Sequence, residues 1–366
     1  VYKRQGLLIA PQGRIRRQLP PNLTGTPAFE PYAAPETFTL QWHITQQCDL
    51  HCKHCYDRSD RASLPFKKAL VILDDFYDFC REMNVNGQVS FSGGNPLLHP
   101  RFDDLYRAAW ERAFGAAILG NPAPLWQMQA LTAIAKPLFF QISLEGLEAH
   151  NDDIRGKGHF KRSLAFLETL KSLGIYAMVM LTLTRDNLNQ VLPLAELLRE
   201  RADFFTFNRL ATVGEGARLA MVTQDEFEPF LVAYDRAAQL NPVMGLKDNL
   251  LNIVRHRTGA DPFGGCTGYG CGAAFNFVAL LADGEVHACR KFSSLIGNIF
   301  ENRLIDIYST ELANKYRAGN AACRDCQLYL VCRGCPAVAY SQGLNIFEEK
   351  DPFCFWHQQE RSLTGK

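Results

Sequence analysis

The stretch CDLHCKHC, residues 48–55, places three cysteines within eight residues. They are Cys48, Cys52 and Cys55. A zinc ion that only stabilises a fold usually takes four protein ligands, whereas an iron–sulfur cluster held by three thiolates leaves one iron open to another ligand. The triplet therefore predicts a cluster with an open iron. A zinc site completed by His51 or His54 is the alternative.

The chain contains twelve cysteines, and eight of them lie after residue 265. These eight are Cys266, Cys271, Cys289, Cys323, Cys326, Cys332, Cys335 and Cys354. Reducing compartments disfavour structural disulfides, so in a chain without a convincing signal peptide these thiols indicate metal binding or catalysis. Eight thiolates can complete two four-ligand sites. Their spacing fits two structural zinc sites as well as two iron–sulfur clusters.

Length and charge limit the class of protein. A chain of 366 residues with 47% hydrophobic residues can bury a large core, and we expect one large domain followed by a smaller one. The 39 basic and 38 acidic residues balance, whereas nucleic-acid binding depends on clustered positive charge. No apolar run reaches the length of a membrane span. We therefore expect a cytoplasmic protein that binds neither nucleic acid nor a membrane.

Apolar, strand-like runs alternate with amphipathic helical segments through most of the chain before residue 210. The predicted strands are 38–44, 87–92, 115–120, 137–143, 176–183 and 203–210, and the predicted helices are 66–83, 101–113, 125–135, 160–174 and 191–202. Such alternation predicts an α/β fold with a parallel sheet, and six units suggest a partial (β/α)6 barrel. Ligand sites in these sheets lie at the carboxyl ends of the strands, and the cysteine triplet directly follows the first strand.

The triplet matches the CxxxCxxC signature and so resembles the radical S-adenosylmethionine (SAM) enzymes, whose fold is a partial β/α barrel. The resemblance implies that the amino and carboxylate groups of SAM fill the open iron position. After the second strand, Gly93, Gly94, Asn95 and Pro96 resemble the GGEP motif that holds the methionine amine of SAM. Asn95 stands at the glutamate position, so a carboxylate contact is lost and an amide remains. A degenerate scaffold that holds clusters without cleaving SAM is therefore one alternative.

Two further stretches resemble SAM-contacting segments of the same enzymes. QISLEG ends the fourth strand and implies that Ser143 and Glu145 are partners of the ribose hydroxyls. HNDDIRG, residues 150–156, implies that Arg155 contacts the SAM carboxylate. Three more polar residues at strand ends would face the same mouth: Asn121, Thr182 and Arg209. The sequence identifies no catalytic acid or base.

The C-terminal cysteines, together with Gly284 in DGEVHAC and the run CRDCQLYLVCRGC, resemble the SPASM extension, which carries two auxiliary [4Fe-4S] clusters. The gap between Cys332 and Cys335 is two residues, where that family more often has three. The resemblance implies that Cys266, Cys271, Cys289 and Cys335 hold the first auxiliary cluster, and that Cys323, Cys326, Cys332 and Cys354 hold the second. Three [4Fe-4S] clusters then use eleven cysteines, and Cys80 remains as a core residue of a helix.

The resemblance divides the chain into four parts. They are an N-terminal extension at 1–37, the radical SAM barrel at 38–240, a linking region at 241–262 and a small, irregular, cysteine-rich SPASM domain at 263–366. Only about 37 residues precede the first strand, fewer than a separate peptide-recognition domain needs. We therefore expect leader-peptide binding by a separate protein or by the surface of the barrel.

The family implies a maturase that cleaves SAM reductively and uses a 5′-deoxyadenosyl radical to remove hydrogen from a peptide. The product would be a carbon–sulfur or carbon–carbon link, or an inverted stereocentre, in a ribosomally synthesised peptide. The chain also resembles maturases of selenobiotic or thio(seleno)oxazole peptides. The implied partners are a precursor peptide and a one-electron reductant such as flavodoxin or ferredoxin.

Two other functions remain as alternatives. Anaerobic sulfatase-maturating enzymes carry an aspartate base immediately after the cysteine that corresponds to Cys289, but this chain has Arg290 at that position. A non-enzymatic binding protein stabilised by zinc is the second alternative.

Overall fold

A computed structural model describes residues 13–19 and 27–356, so part of the predicted N-terminal extension lies outside the described residues. Nine strands form one sheet: β1 (Thr37–Thr45), β2 (Asn86–Gly93), β3 (Gly115–Leu119), β4 (Phe140–Ser143), β5 (Ala177–Leu183), β6 (Phe204–Arg209), β7 (Phe277–Leu280), β8 (Glu285–His287) and β9 (Leu295–Asn298). Their order in the sheet is β6-β5-β4-β3-β2-β1-β7-β8-β9. The strands from β6 to β1 are parallel, which confirms the predicted α/β fold.

Eleven α-helices connect and cover the strands of the described chain. They are α1 (Phe66–Met83), α2 (Phe102–Glu111), α3 (Leu125–Ile134), α4 (Glu148–Arg155), α5 (His159–Ser172), α6 (Val191–Leu198), α7 (Gln224–Ala238), α8 (Leu251–Thr258), α9 (Leu304–Tyr308), α10 (Glu311–Ala318) and α11 (Pro336–Ser341). The helices predicted between the first six strands correspond to α1, α2, α3, α5 and α6. None of the described helices is both long and apolar enough to cross a membrane.

The main core lies against one face of the parallel sheet, and on β1 the residues that face it are Phe38, Leu40, Trp42 and Ile44, all fully buried. One face of helix α1 packs against the core, and its buried residues are Ala69, Ile72, Leu73, Phe76, Phe79 and Cys80. Phe38 on β1 packs against Phe79 with ring centroids 4.7 Å apart. Cys80 is 6% exposed and lies in this core, as its position in the helical pattern predicted.

The sheet continues into the cysteine-rich part of the chain. Strand β7 pairs in parallel with β1, with Val278 opposite Leu40, and β8 and β9 then add antiparallel strands. The C-terminal region therefore shares the sheet of the barrel. The predicted linking region at 241–262 contains α8, so it is partly helical.

Candidate functional site

The cysteine triplet follows β1 at the carboxyl edge of the parallel sheet, and the Gly93–Gly94 turn lies directly against its base. The Gly94 N–H donates to the Thr45 carbonyl at 2.9 Å, and the Asn95 N–H donates to the Gln47 carbonyl at 2.7 Å. A Cβ on Gly94 would lie 2.3 Å from the Gln47 carbonyl oxygen. Only glycine lets the turn approach the segment that leads into Cys48 so closely.

A cavity of about 450 Å³ opens at this edge of the sheet. The predicted residues that line it are Cys48, Cys52, Cys55, Gly93, Gly94, Asn121, Ser143, Arg155, Thr182 and Arg209. Asn95, Pro96 and Glu145 are buried and are not part of its lining. The structure thus brings the triplet and most of the predicted SAM contacts to one opening.

Arg155 on α4 lies between a carboxylate and a cysteine of the triplet. Its guanidinium donates two hydrogen bonds to Oε1 of Glu145, at 2.6 and 2.8 Å, and its Nη1 lies 3.7 Å from Sγ of Cys52. Burial alone would raise the pKa of Glu145, but His54, Arg155 and the Thr182 N–H together hold that pKa below its ordinary value. Glu145 is therefore an ionised residue that positions Arg155.

The predicted ribose contact of Glu145 is corrected by these bonds. One carboxylate oxygen binds Arg155, and the other accepts the backbone N–H of Thr182 at 2.8 Å. Both oxygens are therefore engaged within the protein. Ser143 and Thr182 line the cavity, and their predicted SAM contacts remain predictions.

Arg209 also needs a correction. Its backbone ends β6 at the cavity, but its side chain is 2% exposed and binds two carboxylates. Nε donates to Asp248 at 2.7 Å, and the two terminal nitrogens donate to Asp351 at 2.6 and 2.9 Å. Three of its five N–H groups bind these carboxylates, and the rest of the guanidinium is buried with them in the protein interior. We assign the side chain a structural role in place of the predicted SAM contact.

Asp49, which the sequence analysis did not identify, is an exposed residue beside the cavity and is not part of its lining. Its Oδ1 accepts the amide N–H of Asn95 at 2.9 Å and that of Asn121 at 2.7 Å. Asn121 Nδ2 also lies 3.6 Å from Sγ of Cys48. The substituted residue of the Gly-Gly-Asn-Pro turn is therefore joined to a carboxylate within the cysteine loop.

The eight C-terminal cysteines interact within two sets of four, and their assignment to two clusters stays a prediction. Cys271 interacts electrostatically with Cys266, Cys289 and Cys335, and burial raises its pKa first, with these thiols raising it further. Cys332 interacts in the same way with Cys323, Cys326 and Cys354. Burial also raises the pKa of Cys289 to about 11 and that of Cys323 to about 12. Such thiols need a metal centre to stabilise their thiolate forms.

The arrangement of these thiols also bears on the zinc alternative. Within residues 13–19 and 27–356, no group of three or more His, Cys, Asp or Glu side chains is arranged to hold a single metal ion. A four-iron cluster spreads its four thiolates over four irons, so its ligands need not meet at one point.

Two buried arginines provide an independent test of whether a cluster fits the first group. Arg17 and Arg333 are 5% and 4% exposed, and both donate to the backbone carbonyl of Cys271. In the described chain neither forms an ion pair with a carboxylate, and the Nε atom of each has no hydrogen-bond partner. A buried cation without a counter-charge is costly. The negative charge of a four-thiolate cluster would balance both.

The cavity also reaches the first auxiliary group. Lys291 lines it and interacts with Cys266, Cys289 and Cys335. Burial lowers the pKa of Lys291, and these three thiols oppose that shift. Arg290 lines the same cavity, with its guanidinium 5.5 Å from the centre of the Tyr56 ring. One opening thus joins the triplet to the residues beside the first auxiliary group.

Comparison with known proteins agrees with this geometry. The profile of the Radical SAM superfamily matches residues 42–198, and that of an iron-sulfur cluster-binding domain, SPASM, matches residues 271–336. The crystal structure of Streptococcus suis SuiB bound to precursor peptide SuiA superposes with a TM-score of 0.68 at 19% identity. That superposition covers 88% of this chain and 76% of SuiB.

Two curated relatives span most of the chain. The mycofactocin maturase MftC of Mycolicibacterium smegmatis is 28% identical over 331 residues, which cover 86% of this chain and 82% of MftC. The AdoMet-dependent heme synthase of Oleidesulfovibrio alaskensis is 24% identical over 363 residues, which cover 91% of each protein. The chain therefore has the domain organisation of the radical SAM enzymes that carry a C-terminal SPASM domain.

Proposed function

We propose that this enzyme is a maturase that modifies a ribosomally synthesised peptide. The observation that carries the proposal is the single cavity that joins the cysteine triplet to Lys291 beside the first auxiliary group. Chemistry at the triplet and electron transfer at the auxiliary group can then act on one substrate. The relative MftC is a maturase, and SuiB was solved with a precursor peptide.

Cys48, Cys52 and Cys55 would hold the cluster that binds SAM. When bound there, the two groups supply a one-electron cleavage that makes a radical able to remove hydrogen from a C–H bond. The chain's own contribution is to position and enclose the reactants. The Gly93–Gly94 turn brings backbone groups close to the triplet, and Arg155, held by Glu145, brings a positive charge beside Cys52.

The C-terminal cysteines would hold two auxiliary clusters, each with four thiolates. Full ligation leaves no iron open to substrate, so we assign these clusters to electron transfer. We place the first group nearer the chemistry, because Lys291 lines the cavity and interacts electrostatically with that group. An electron released during product formation would enter there. A flavodoxin or ferredoxin would supply the electron that cleaves SAM.

Arg290 bears on the kind of modification. It lines the cavity at the position where the sulfatase-maturating enzymes carry an aspartate base. An arginine is always charged at neutral pH and cannot accept a proton. We therefore favour a peptide modification that needs no base at this position, and sulfatase maturation is the less favoured function.

The test is to mix the anaerobically reconstituted enzyme with short peptides encoded next to its gene, together with SAM and a reductant. Mass spectrometry should show a change in the mass of one peptide, which depends on SAM and is absent with the Cys52→Ala variant. A separate leader-binding protein encoded nearby would be added in a parallel reaction. Conversion of a porphyrin, with every peptide unchanged, would overturn the proposal in favour of the chemistry named for the heme synthase relative.

A further inference from the structure

Asn95 removes a carboxylate from the SAM site, and the structure contains another carboxylate beside it. The Asn95 side chain is 4% exposed, and its amide nitrogen lies 2.9 Å from Oδ1 of Asp49. Asn121, a residue of the cavity wall, donates to the same oxygen at 2.7 Å. Two amides from two different strand ends therefore hold one carboxylate in the cysteine loop.

The side-chain oxygen of Asn95 does not simply take over the role of the glutamate carboxylate, because the side chain is oriented for other bonds. Oδ1 of Asn95 accepts the Leu97 N–H at 3.3 Å and begins the short helical turn at Pro96–Leu98. The amide nitrogen points to Asp49, so Asn95 presents a donor to its neighbour. An ammonium group such as the α-amino group of SAM needs an acceptor. Asn95 alone does not supply a charged one.

Asp49 can offer the charged acceptor that Asn95 does not supply. Both of its described side-chain hydrogen bonds end on Oδ1, and within the described chain none ends on Oδ2. Asp49 also follows directly after Cys48, a predicted ligand of the cluster that binds SAM. A carboxylate that is fixed through one oxygen can accept an ammonium group with the other, and a charge-assisted bond of this kind is strong.

We propose that Asp49 supplies the carboxylate that Asn95 lacks, so that the Asp49–Asn95 pair takes the α-amino group of SAM. Asn95 and Asn121 act as positioning residues that orient Asp49. The inference rests on the SAM chemistry of the proposed function, but it does not depend on the nature of the peptide. It also explains how a turn without glutamate can still belong to a working SAM site.

Variants that move the carboxylate from position 49 to position 95 test this inference. The affinity of the reconstituted enzyme for SAM would be measured by equilibrium dialysis for wild type, Asp49→Asn, Asn95→Glu and the double variant. Asp49→Asn should weaken SAM binding about tenfold or more, because a charge-assisted hydrogen bond is lost. Asn95→Glu should also weaken binding, because two carboxylates then face each other. The double variant should recover most of the wild-type affinity, since it carries one carboxylate in the usual position.

Controls separate SAM binding from support of the cysteine loop. Asp60→Asn removes an exposed carboxylate farther along the same loop and should leave SAM affinity unchanged. Iron content and the visible absorption of the clusters should be the same in every variant. If Asp49→Asn loses iron, SAM binding is instead compared in Asp49→Glu and the double variant, since each keeps one carboxylate at the Asp49–Asn95 pair.

Three results would overturn the inference. In the first, Asp49→Asn binds SAM as tightly as wild type. In the second, the double variant loses as much binding free energy as the two single variants together. In the third, Asp49→Glu and the double variant hold wild-type amounts of iron but still bind SAM weakly. Failure to modify any peptide would leave these affinities interpretable. Failure of this inference and failure of the proposed function are therefore distinguishable.

Discussion

The guanidinium of Arg209 donates two hydrogen bonds to the carboxylate of Asp351, at 2.6 and 2.9 Å, in the interior of the protein. Arg209 ends β6, whereas Asp351 lies three residues before Cys354. Oδ2 of Asp351 also accepts the N–H of Cys335 at 2.7 Å. One ion pair thus joins the last strand of the parallel sheet to cysteines of both auxiliary groups.

Substitution of Arg209 should destabilise the protein strongly. Arg209→Met would leave Asp248 and Asp351 buried without their cation, and breaking a buried pair in this way costs about 3–5 kcal/mol. The free energy of unfolding and the iron content, measured anaerobically, should both fall. Arg199→Met removes an exposed ion pair with Glu196 and should lower the free energy of unfolding far less. Equal effects of the two substitutions would contradict this role for Arg209.

Gly94→Ala should impair the SAM site through contact with the backbone. The new methyl group would lie 2.3 Å from the Gln47 carbonyl oxygen, so the segment before Cys48 must move. We expect a loss of about four irons per chain, the content of one cluster, or a loss of SAM binding. Gly343→Ala is the control: its φ of 73° makes an alanine costly for stability there, but the methyl group meets nothing within 4 Å, so iron content and SAM affinity should be unchanged. Normal iron content and SAM affinity in Gly94→Ala would refute the argument.

Arg17 and Arg333 should make the first auxiliary cluster easier to reduce. Positive charge and hydrogen bonds near a cluster raise its reduction potential. Arg17→Gln and Arg333→Gln keep a donor for the Cys271 carbonyl but remove the charge, so each should shift the potential to more negative values. A redox titration followed by electron paramagnetic resonance measures this shift. Arg324→Gln, at an exposed position, should change the potential of that cluster little, and unchanged potentials in all three variants would contradict the assignment.

His159 should make the fold sensitive to acid. Burial lowers its pKa to about 4, whereas an unfolded histidine titrates at its ordinary value of 6.5. Between those values the unfolded chain binds the additional proton, so stability is complete above pH 6.5 and decreases as the pH falls towards 4. The full contribution is about 3 kcal/mol.

The variant His159→Gln isolates this effect. A glutamine oxygen can still accept the hydrogen bond from Asn151, but it does not titrate. Thermal midpoints of wild type and variant would be compared at pH 7 and pH 5. Wild type should lose more stability than the variant on acidification, and equal losses would show that His159 does not titrate in this range.

The sequence predicted the parallel sheet because apolar, strand-like runs alternate with amphipathic helical segments from β1 to β6. It missed α4, whose segment EAHNDDIR is mostly polar and buries only Asn151 and Ile154. It also missed β7, a four-residue strand whose place beside β1 depends on pairing across more than 200 residues of chain. Short strands without strong periodicity do not specify their partners locally.

The candidate site was likewise predicted only in part from the sequence. The grouping of the eight C-terminal cysteines followed from the family resemblance alone, and in the structure the members of each group interact electrostatically with one another. Arg209 was predicted as a SAM contact from its position at a strand end and Glu145 from a family resemblance, but neither signal reveals which buried partner a charged side chain meets. Asp49 and Arg17 were missed for the same reason, since their partners lie 46 and 254 residues away in the chain.

The most direct measurement is the amount of 5′-deoxyadenosine formed by the anaerobically reconstituted enzyme with SAM and dithionite, compared with its Cys52→Ala variant. We expect about twelve irons per wild-type chain and release of deoxyadenosine, against about eight irons and no release for the variant. Zinc in place of iron, or equal release of deoxyadenosine by both proteins, would contradict the assignment of Cys48, Cys52 and Cys55 to a SAM-cleaving cluster.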